Sequence, residues 1–360
     1  MKKYITRIAI VVLLSVSIIF ALSNKVKKAD ASDFKIIKKE IAEEIAEEKV
    51  EKQPTSPKTP NISVKTPEFL SYNQTVSQLK KWHEEAPDLT EIGTYGLSAA
   101  GKDLYYIKLT NTYKKEKKPA ILVHSCIHGN EVHAASNMMA YFGNMLSQYG
   151  SNPEITDILD NKEIYFIPVI SPDSYPNYRM NEKVDPNRDF PTPQNPEHQS
   201  SKIIMALREF FWKIKPKSVL SAHTFGRLYM IPYGDSYEKC PHQEDYQRIV
   251  GKMAELSNYK MIHTSKLYSK PISGTEVDWY YRNGAFAMVA EFGTHQKKPT
   301  TKEIQSEYER TKSAITLFLK ESTDVKFTAA NEDLDFSRNT GIAQTYLRLP
   351  NGDLAPTSQQ

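Results

Sequence analysis

Three short apolar runs in this chain each break off on a side chain that can hold a metal or a proton. Ala120-Ile121-Leu122-Val123 leads into His124-Ser125-Cys126-Ile127-His128-Gly129-Asn130-Glu131. Ser218-Val219-Leu220 leads into Ser221-Ala222-His223-Thr224, and Met288-Val289-Ala290 leads into Glu291. Runs this apolar and this short read as strands buried on both faces, which requires a sheet covered by helices. The first run opens into a turn and then a helical stretch. In open α/β sheets, ligands gather at the carboxyl ends of strands. His128, Glu131 and His223 at two such ends supply three donors and leave a fourth position for water. That is the coordination of a catalytic zinc rather than of a closed structural site. Glu291, at a third end, is placed to act as general base on such a water.

Each piece alone has a plainer explanation. With nine histidines in the chain, one chance His-x-x-Glu is unsurprising, and Glu is favoured at a helix N-terminus by the dipole. Glu291 alone is an ordinary strand-end acid. The stretch Asp185-Pro186-Asn187-Arg188-Asp189-Phe190-Pro191, with Arg179 upstream, adds weight. Arg188 offers a planar fork for a carboxylate and Asn187 an amide donor, although single arginines usually serve surface salt bridges. His124 and His128 are four apart on a strand, so helical pairing does not apply. His133 sits two past Glu131, which breaks the inverted-zincin pattern. His83, His198, His242, His263 and His295 have no partner spacing and read as surface or packing residues, with His295 an outside candidate for the cleft wall.

Length and composition agree with one large domain. The chain has 360 residues, 39% of them apolar. Its 47 basic and 43 acidic residues give +4, too even a balance to argue for nucleic acid. Two cysteines, Cys126 and Cys240, indicate no disulfide framework, and Cys126 reads as a small buried residue of the first strand. Lys2, Lys3 and Arg7 precede an apolar run from Ile8 to Leu22, 15 residues long, where spanning requires roughly 20. With Ala29-Asp30-Ala31 as a small-x-small cleavage site, residues 1–31 read as an export signal. A retained N-terminal membrane anchor is the other reading, because Lys25, Lys27 and Lys28 intervene. Both place the rest outside the cytoplasm, whether secreted, periplasmic or at the cell surface. Residues 32–65 read as a charged helical stalk, with Ile37, Ile41 and Ile45 at helical spacing, followed by a linker containing Pro54, Pro57 and Pro60.

The catalytic domain is expected at 66–321, with a tail at 322–360, docked or disordered. Helices are expected at 72–85, 131–149, 200–212 and 301–319. Strands are expected at 90–96, 103–110, 119–125, 163–169, 218–222 and 286–292. The alternation implies an α/β fold, a mixed central β-sheet with helices on both faces.

Jointly these segments resemble the zinc carboxypeptidase family of metallopeptidases, of the carboxypeptidase A type, over about residues 66–321. Ile92-Gly93-Thr94-Tyr95-Gly96-Leu97-Ser98 with Gly101-Lys102 is similar to that family's first hairpin. His128-Gly129-Asn130-Glu131, Asp185 to Phe190, His223 with Pro232-Tyr233-Gly234, and Asp278-Trp279 before Glu291 follow in the family's order. Ser171-Pro172-Asp173-Ser174-Tyr175 resembles its Asn-Pro-Asp-Gly segment, with Ser171 and Ser174 in place of Asn and Gly. Thr224 follows the third ligand where Ser is common, and the Arg179–Asn187 interval is shorter than in the pancreatic members. The resemblance implies one Zn²⁺ held by His128, Glu131 and His223, with Glu291 as general base. It implies that Asn187 and Arg188 hold the substrate's terminal carboxylate, that Arg179 polarises the scissile carbonyl, and that Tyr268 stands for the family's mobile tyrosine. Val277 suggests an apolar specificity pocket, whereas Glu276 would attract a basic side chain. A monomer acting on peptides, cell-wall stem peptides among them, is expected. The rival on the same fold is a zinc amidohydrolase of the aspartoacylase or succinylglutamate desuccinylase type, disfavoured by the long region between Arg188 and Glu291 and by the export signal. A tethered binding module with a decayed site is disfavoured because all four catalytic groups are present.

Overall fold

The computed structural model describes residues 68–327, together with Pro57, Pro60, Ile62 and two short paired strands, Leu347–Arg348 and Leu354–Ala355. The expected export signal and stalk helix lie outside the described residues. In chain order the elements are α1 (Tyr72–Glu85), β1 (Thr90–Leu97), β2 (Asp103–Leu109), β3 (Ala120–Ser125), α2 (Val132–Ser147), α3 (Pro153–Asn161) and β4 (Glu163–Ile167). Then come α4 (Lys202–Ile214), β5 (Ser218–His223), β6 (Leu228–Ile231), a helical run α5 at 243–257 with a π-helical turn, β7 (Lys260–His263), α6 (Glu276–Arg282), β8 (Phe286–Glu291) and α7 (Thr301–Glu321).

The eight strands form one sheet in the order β1-β2-β4-β3-β5-β8-β6-β7. β4, β3, β5 and β8 run parallel. β1 and β2 attach antiparallel on one side, and β6 returns antiparallel to β8 on the other. Every residue of β3 and β5 is buried, so both faces of the central sheet are covered, as the unbroken apolar runs demand. α2 packs on β3, β5 and α7, and α7 packs on α5. α4 packs on β1, and its Phe211 ring lies 5.1 Å from Trp279 of α6.

Local signals set most element ends. Ser71 and Gln74 form a capping box at the start of α1, and Thr300 and Glu303 form another at the start of α7. Asn152 caps α3 ahead of Pro153. The strand expected at 163–169 stops at Ile167, where Pro168 removes a donor from the ladder. Cys126, expected within the first strand, instead lies one residue beyond β3 with φ 51. This left-handed residue makes the turn that sends the chain toward His128. Ile62, in the expected linker, is buried in the core. Packing also continues past residue 321: the Ser322 hydroxyl donates to Ser218 Oγ at 2.7 Å, and the Phe327 ring lies 4.4 Å from His242. Among the described residues, no helix is long and apolar enough to cross a membrane.

α2 is apolar around most of its circumference, as a helix buried between a sheet and a second helix must be. Phe142 of α2 meets Phe166 of β4 with ring centroids 4.5 Å apart. Phe166→Ala should leave a cavity under α2 and cost about 3–5 kcal/mol. Chemical denaturation reads this directly. A loss below about 1 kcal/mol would mean that this contact does not hold α2 to the sheet.

Candidate active site

β3, β5 and β8 end side by side, with Ser125 opposite Ala222 and His223 opposite Glu291. From β3 the chain turns at Cys126 and reaches His128, then Glu131 at the N-cap of α2. Glu131 makes no capping bond to its own helix, because its carboxylate serves two imidazoles. His128 Nδ1 lies 2.7 Å from one oxygen and His223 Nδ1 lies 2.9 Å from the other. The donor atoms of these three buried residues all lie within 4.8 Å of one another. Thr224 supports the arrangement from β5. Its N–H donates to Glu131 Oε2 at 3.3 Å, and its Oγ1 accepts from Ala134 N–H at 3.1 Å. Thr224 thus serves the helix N-terminus in place of the cap that Glu131 does not provide.

Each imidazole has a carboxylate behind it. His128 Nε2 lies 2.9 Å from Asp185, and His223 Nε2 lies 2.6 Å from Glu276. Such partners fix the tautomer and aim the other nitrogen at a metal. Gly129 lets the segment 171–175 lie flush on this turn, since a Cβ there would fall 2.6 Å from the Ser174 and Tyr175 backbones. The Ser171 hydroxyl donates to the Ile127 carbonyl, so serine does the bracing in this variant segment.

A cavity of about 180 Å³ opens onto these groups. That is smaller than the 300–1,000 Å³ typical of drug-sized ligands, and it suits one chain end. All eight expected site residues line it: His128, Glu131, Arg179, Asn187, Arg188, His223, Tyr268 and Glu291. Arg179 donates to Asp185 Oδ2 at 3.0 Å and stands 3.4 Å from Glu131. The Asn187 side-chain carbonyl accepts from Glu276 N–H at 2.9 Å, which leaves its NH₂ for a ligand. Arg188 lies 5.4 Å from the Tyr268 ring centre, within cation–π range. Gly274 permits this placement: at φ 73 it packs on the Arg188 carbonyl, which a Cβ would approach to 2.5 Å. Met230, Thr264, Leu267, Ile272, Val277 and Val289 also line the cavity.

The electrostatics favour a cation. Burial opposes ionisation of Glu131, but His223 and His128 outweigh it and bring the carboxyl down to about 2. Burial likewise opposes the charged imidazoles, yet Glu131 with Glu276 lifts His223 well above its usual value, and Glu131 with Asp185 lifts His128. Burial pushes Glu291 the other way, up to about 7, with His223 opposing and the Glu131 carboxylate adding to the rise. One buried Glu291 oxygen has no hydrogen-bond partner. Glu131, Glu291, Arg179 and Arg188 line the cleft, while Asp185 and Glu276 stand behind the two imidazoles. Two imidazoles with a carboxylate suit zinc.

Asp185 and Glu276 had no assigned place at the metal. Their partners lie 57 and 53 residues away in sequence, so neither pairing has a local signal. Glu276, weighed above as a specificity residue, does not line the cleft and is fully buried. His242 packs, 2.7 Å from Tyr281 Oη, and His295 pairs with Glu303 at 2.9 Å beside α7 rather than lining the cleft.

The Glu291 shift has a testable sign. Its folded pKa is raised from 4.5 to about 7. In protein stripped of metal by a chelator, its contribution to stability is therefore complete below the unfolded value and lost as pH rises through 7. Glu291→Gln cannot ionise and should gain on the stripped wild type between pH 5 and 8, by on the order of 2 kcal/mol, or roughly 4–8 °C in Tm. Parallel pH dependence of the two melting curves would contradict the shift.

A family model for the zinc carboxypeptidases matches residues 75–314. Over 309 residues the chain is 22% identical to a zinc carboxypeptidase from Saccharothrix mutabilis subsp. capreolus, covering 71% of this chain and 69% of that protein. Over 285 residues it is 22% identical to carboxypeptidase D from Homo sapiens, covering 68% of this chain but only 20% of that longer protein. The crystal structure of thrombin activatable fibrinolysis inhibitor superposes with a TM-score of 0.66 at 18% identity, over 73% of this chain and 77% of that one, a likeness of fold. With more than half of its length matched by the family model, this chain belongs to the zinc carboxypeptidase family, an α/β family of metallopeptidases.

Proposed function

We propose that this chain is an extracytoplasmic carboxypeptidase that removes the last residue of a peptide. One observation carries the reading: donor atoms of His128, Glu131 and His223 converge within 4.8 Å. These three residues would hold one Zn²⁺, which when bound polarises a carbonyl and lowers the pKa of a coordinated water toward roughly 7.

The chain's own residues do the rest. Arg188 and the free NH₂ of Asn187 hold the terminal carboxylate of the substrate, a match of planar fork to planar acceptor. That anchor brings the last peptide bond, and no internal one, to the metal ligands. Arg179 faces the scissile carbonyl oxygen and stabilises the oxyanion as it forms. Glu291 takes a proton from the attacking water and returns it to the leaving amine. Tyr268, 39% exposed, covers the chain end from the solvent side. Met230, Leu267, Ile272, Val277 and Val289 give the cleft an apolar part of its wall. A charged side chain would lose its hydration there without gaining a partner, so the enzyme prefers an apolar C-terminal residue.

Lys2, Lys3 and Arg7 ahead of the apolar run 8–22 support export, cleaved or tethered. Substrates are then peptides outside the cytoplasm, cell-wall stem peptides included. The site is complete within one chain, in keeping with a monomer.

Purified protein should carry one zinc per chain by elemental analysis and release single C-terminal residues by mass spectrometry. Glu291→Gln should keep the zinc and lose about 10²–10⁴ in kcat. Equal turnover by the two would remove Glu291 from the mechanism, and hydrolysis of N-acyl amino acids without any peptide cleavage would overturn the carboxypeptidase reading.

Peptides ending in Leu or Phe should exceed those ending in Lys, Arg or Glu by at least about ten-fold in kcat/KM. A preference for basic ends would mean that the apolar part of the wall does not receive the side chain.

A further inference from the structure

Glu276 is the first residue of the short helix α6 and has no solvent exposure. A carboxylate buried so completely is costly unless paired and hydrogen-bonded. No lysine or arginine pairs with it among the described contacts. Its Oε1 lies 2.6 Å from His223 Nε2 and accepts from the Ser221 hydroxyl at 2.7 Å. Its Oε2 lies 3.4 Å from His124 Nε2, and the Tyr280 hydroxyl lies 3.1 Å from that same nitrogen. Its backbone N–H donates at 2.9 Å to Asn187, whose NH₂ faces the cleft. Ser221 and His223 stand on the same strand, two residues apart, so β5 carries both the candidate ligand and the hydroxyl that steadies its carboxylate.

We propose that Glu276 is a positioning residue for the metal centre: its carboxylate fixes the His223 ring so that Nδ1 faces the metal, and Asn187 holds Glu276 in place. The proposal rests on His223 being a ligand. Two carboxylate–imidazole pairs then flank the site, Asp185–His128 and Glu276–His223, each gripping the nitrogen away from the donor set. The arrangement ties the carboxylate clamp to the metal ligands through one side chain. Asn187 presents its NH₂ to the cleft and its carbonyl to the backbone of Glu276. Loosening that carbonyl contact therefore weakens the metal site as well as the clamp.

The test measures zinc affinity, by competition with a chromophoric chelator, on full-length wild type, Glu276→Gln, Glu276→Leu and Asn187→Leu. Glu276→Gln keeps the shape and one acceptor but loses the charge, and should bind zinc about ten-fold more weakly. Glu276→Leu cannot accept and should lose about 100-fold, the range found for partners of metal-bound histidines. Should the leucine variant fail to fold, the glutamine variant carries the test. Asn187→Leu should weaken zinc as well as raise KM. For Glu276→Gln at saturating zinc, kcat should fall with KM unchanged, and the d–d spectrum of the cobalt-substituted enzyme should shift. Wild-type zinc affinity in folded Glu276→Gln would overturn the proposal. So would a changed preference between Phe- and Arg-ended peptides, which would make Glu276 a specificity residue. Failure of the wild type itself to bind zinc would instead sink the carboxypeptidase reading, and the proposal with it.

Discussion

The site depends on the parallel pairing of β3, β5 and β8. Parallel strands deliver their carboxyl ends to one edge of the sheet, and register decides which side chains meet there. His223 stands opposite Glu291. A slip of one residue would turn every side chain of a strand to the opposite face and separate the base from the ligands. Apolar burial prevents that slip: Val219, Leu220, Met288 and Val289 are all enclosed. The same residues that form the core therefore set the catalytic geometry. Two of the key groups sit on strands and a third stands at the N-cap position of a helix, where packing holds them more firmly than a loop would.

Gathering four carboxylates in and behind one cleft works against folding, and the structure distributes that cost unevenly. Glu131 has two imidazoles and the Thr224 N–H. Asp185 has His128 and Arg179, and Glu276 has His223 and Ser221. Glu276 and Glu291 each keep one buried oxygen without a hydrogen-bond partner. Glu291, the proposed base, is the one of the four with no imidazole or hydroxyl partner among the described contacts, and perturbed groups of this kind concentrate at functional sites. α2 follows the same logic. Its N-cap residue is given over to the donor set, and a threonine from another strand takes up part of the capping.

The readable part of this protein was the part written in short range. Unbroken apolar runs reported strands covered on both faces, and the residue ending each run reported what the sheet edge would carry. The capping boxes at Ser71 and Thr300, found in the structure, are equally local, and Pro168 ends β4 two residues short of the expected strand. All eight side chains expected at the site line one cleft, and six of them belong to motifs whose order follows the sheet. What could not be read was contact across the chain. Asp185 and Glu276 meet their histidines over more than fifty residues, and Thr224 reaches the start of α2 from ninety residues away. Such pairings exist only once the sheet has formed. The φ of Cys126 is equally a product of the turn it makes, since nothing about a cysteine announces a left-handed residue.

Glu276 and Val277 illustrate the limit most sharply. Both precede Asp278-Trp279, and from sequence each was a candidate to set specificity, toward basic and apolar ends respectively. They are consecutive in α6, so their side chains leave the helix about 100° apart and cannot serve the same cavity. Val277 lines the cleft, while Glu276 turns behind His223. The choice between them follows from what each direction offers. The cleft beside Val277 is lined by apolar residues as well as by the two arginines, whereas the space behind β5 holds an imidazole nitrogen and a hydroxyl. Burying the acid where donors already stand leaves the valine to line the cleft, and one helical step thereby separates the proposed support of His223 from the proposed selection of the substrate side chain.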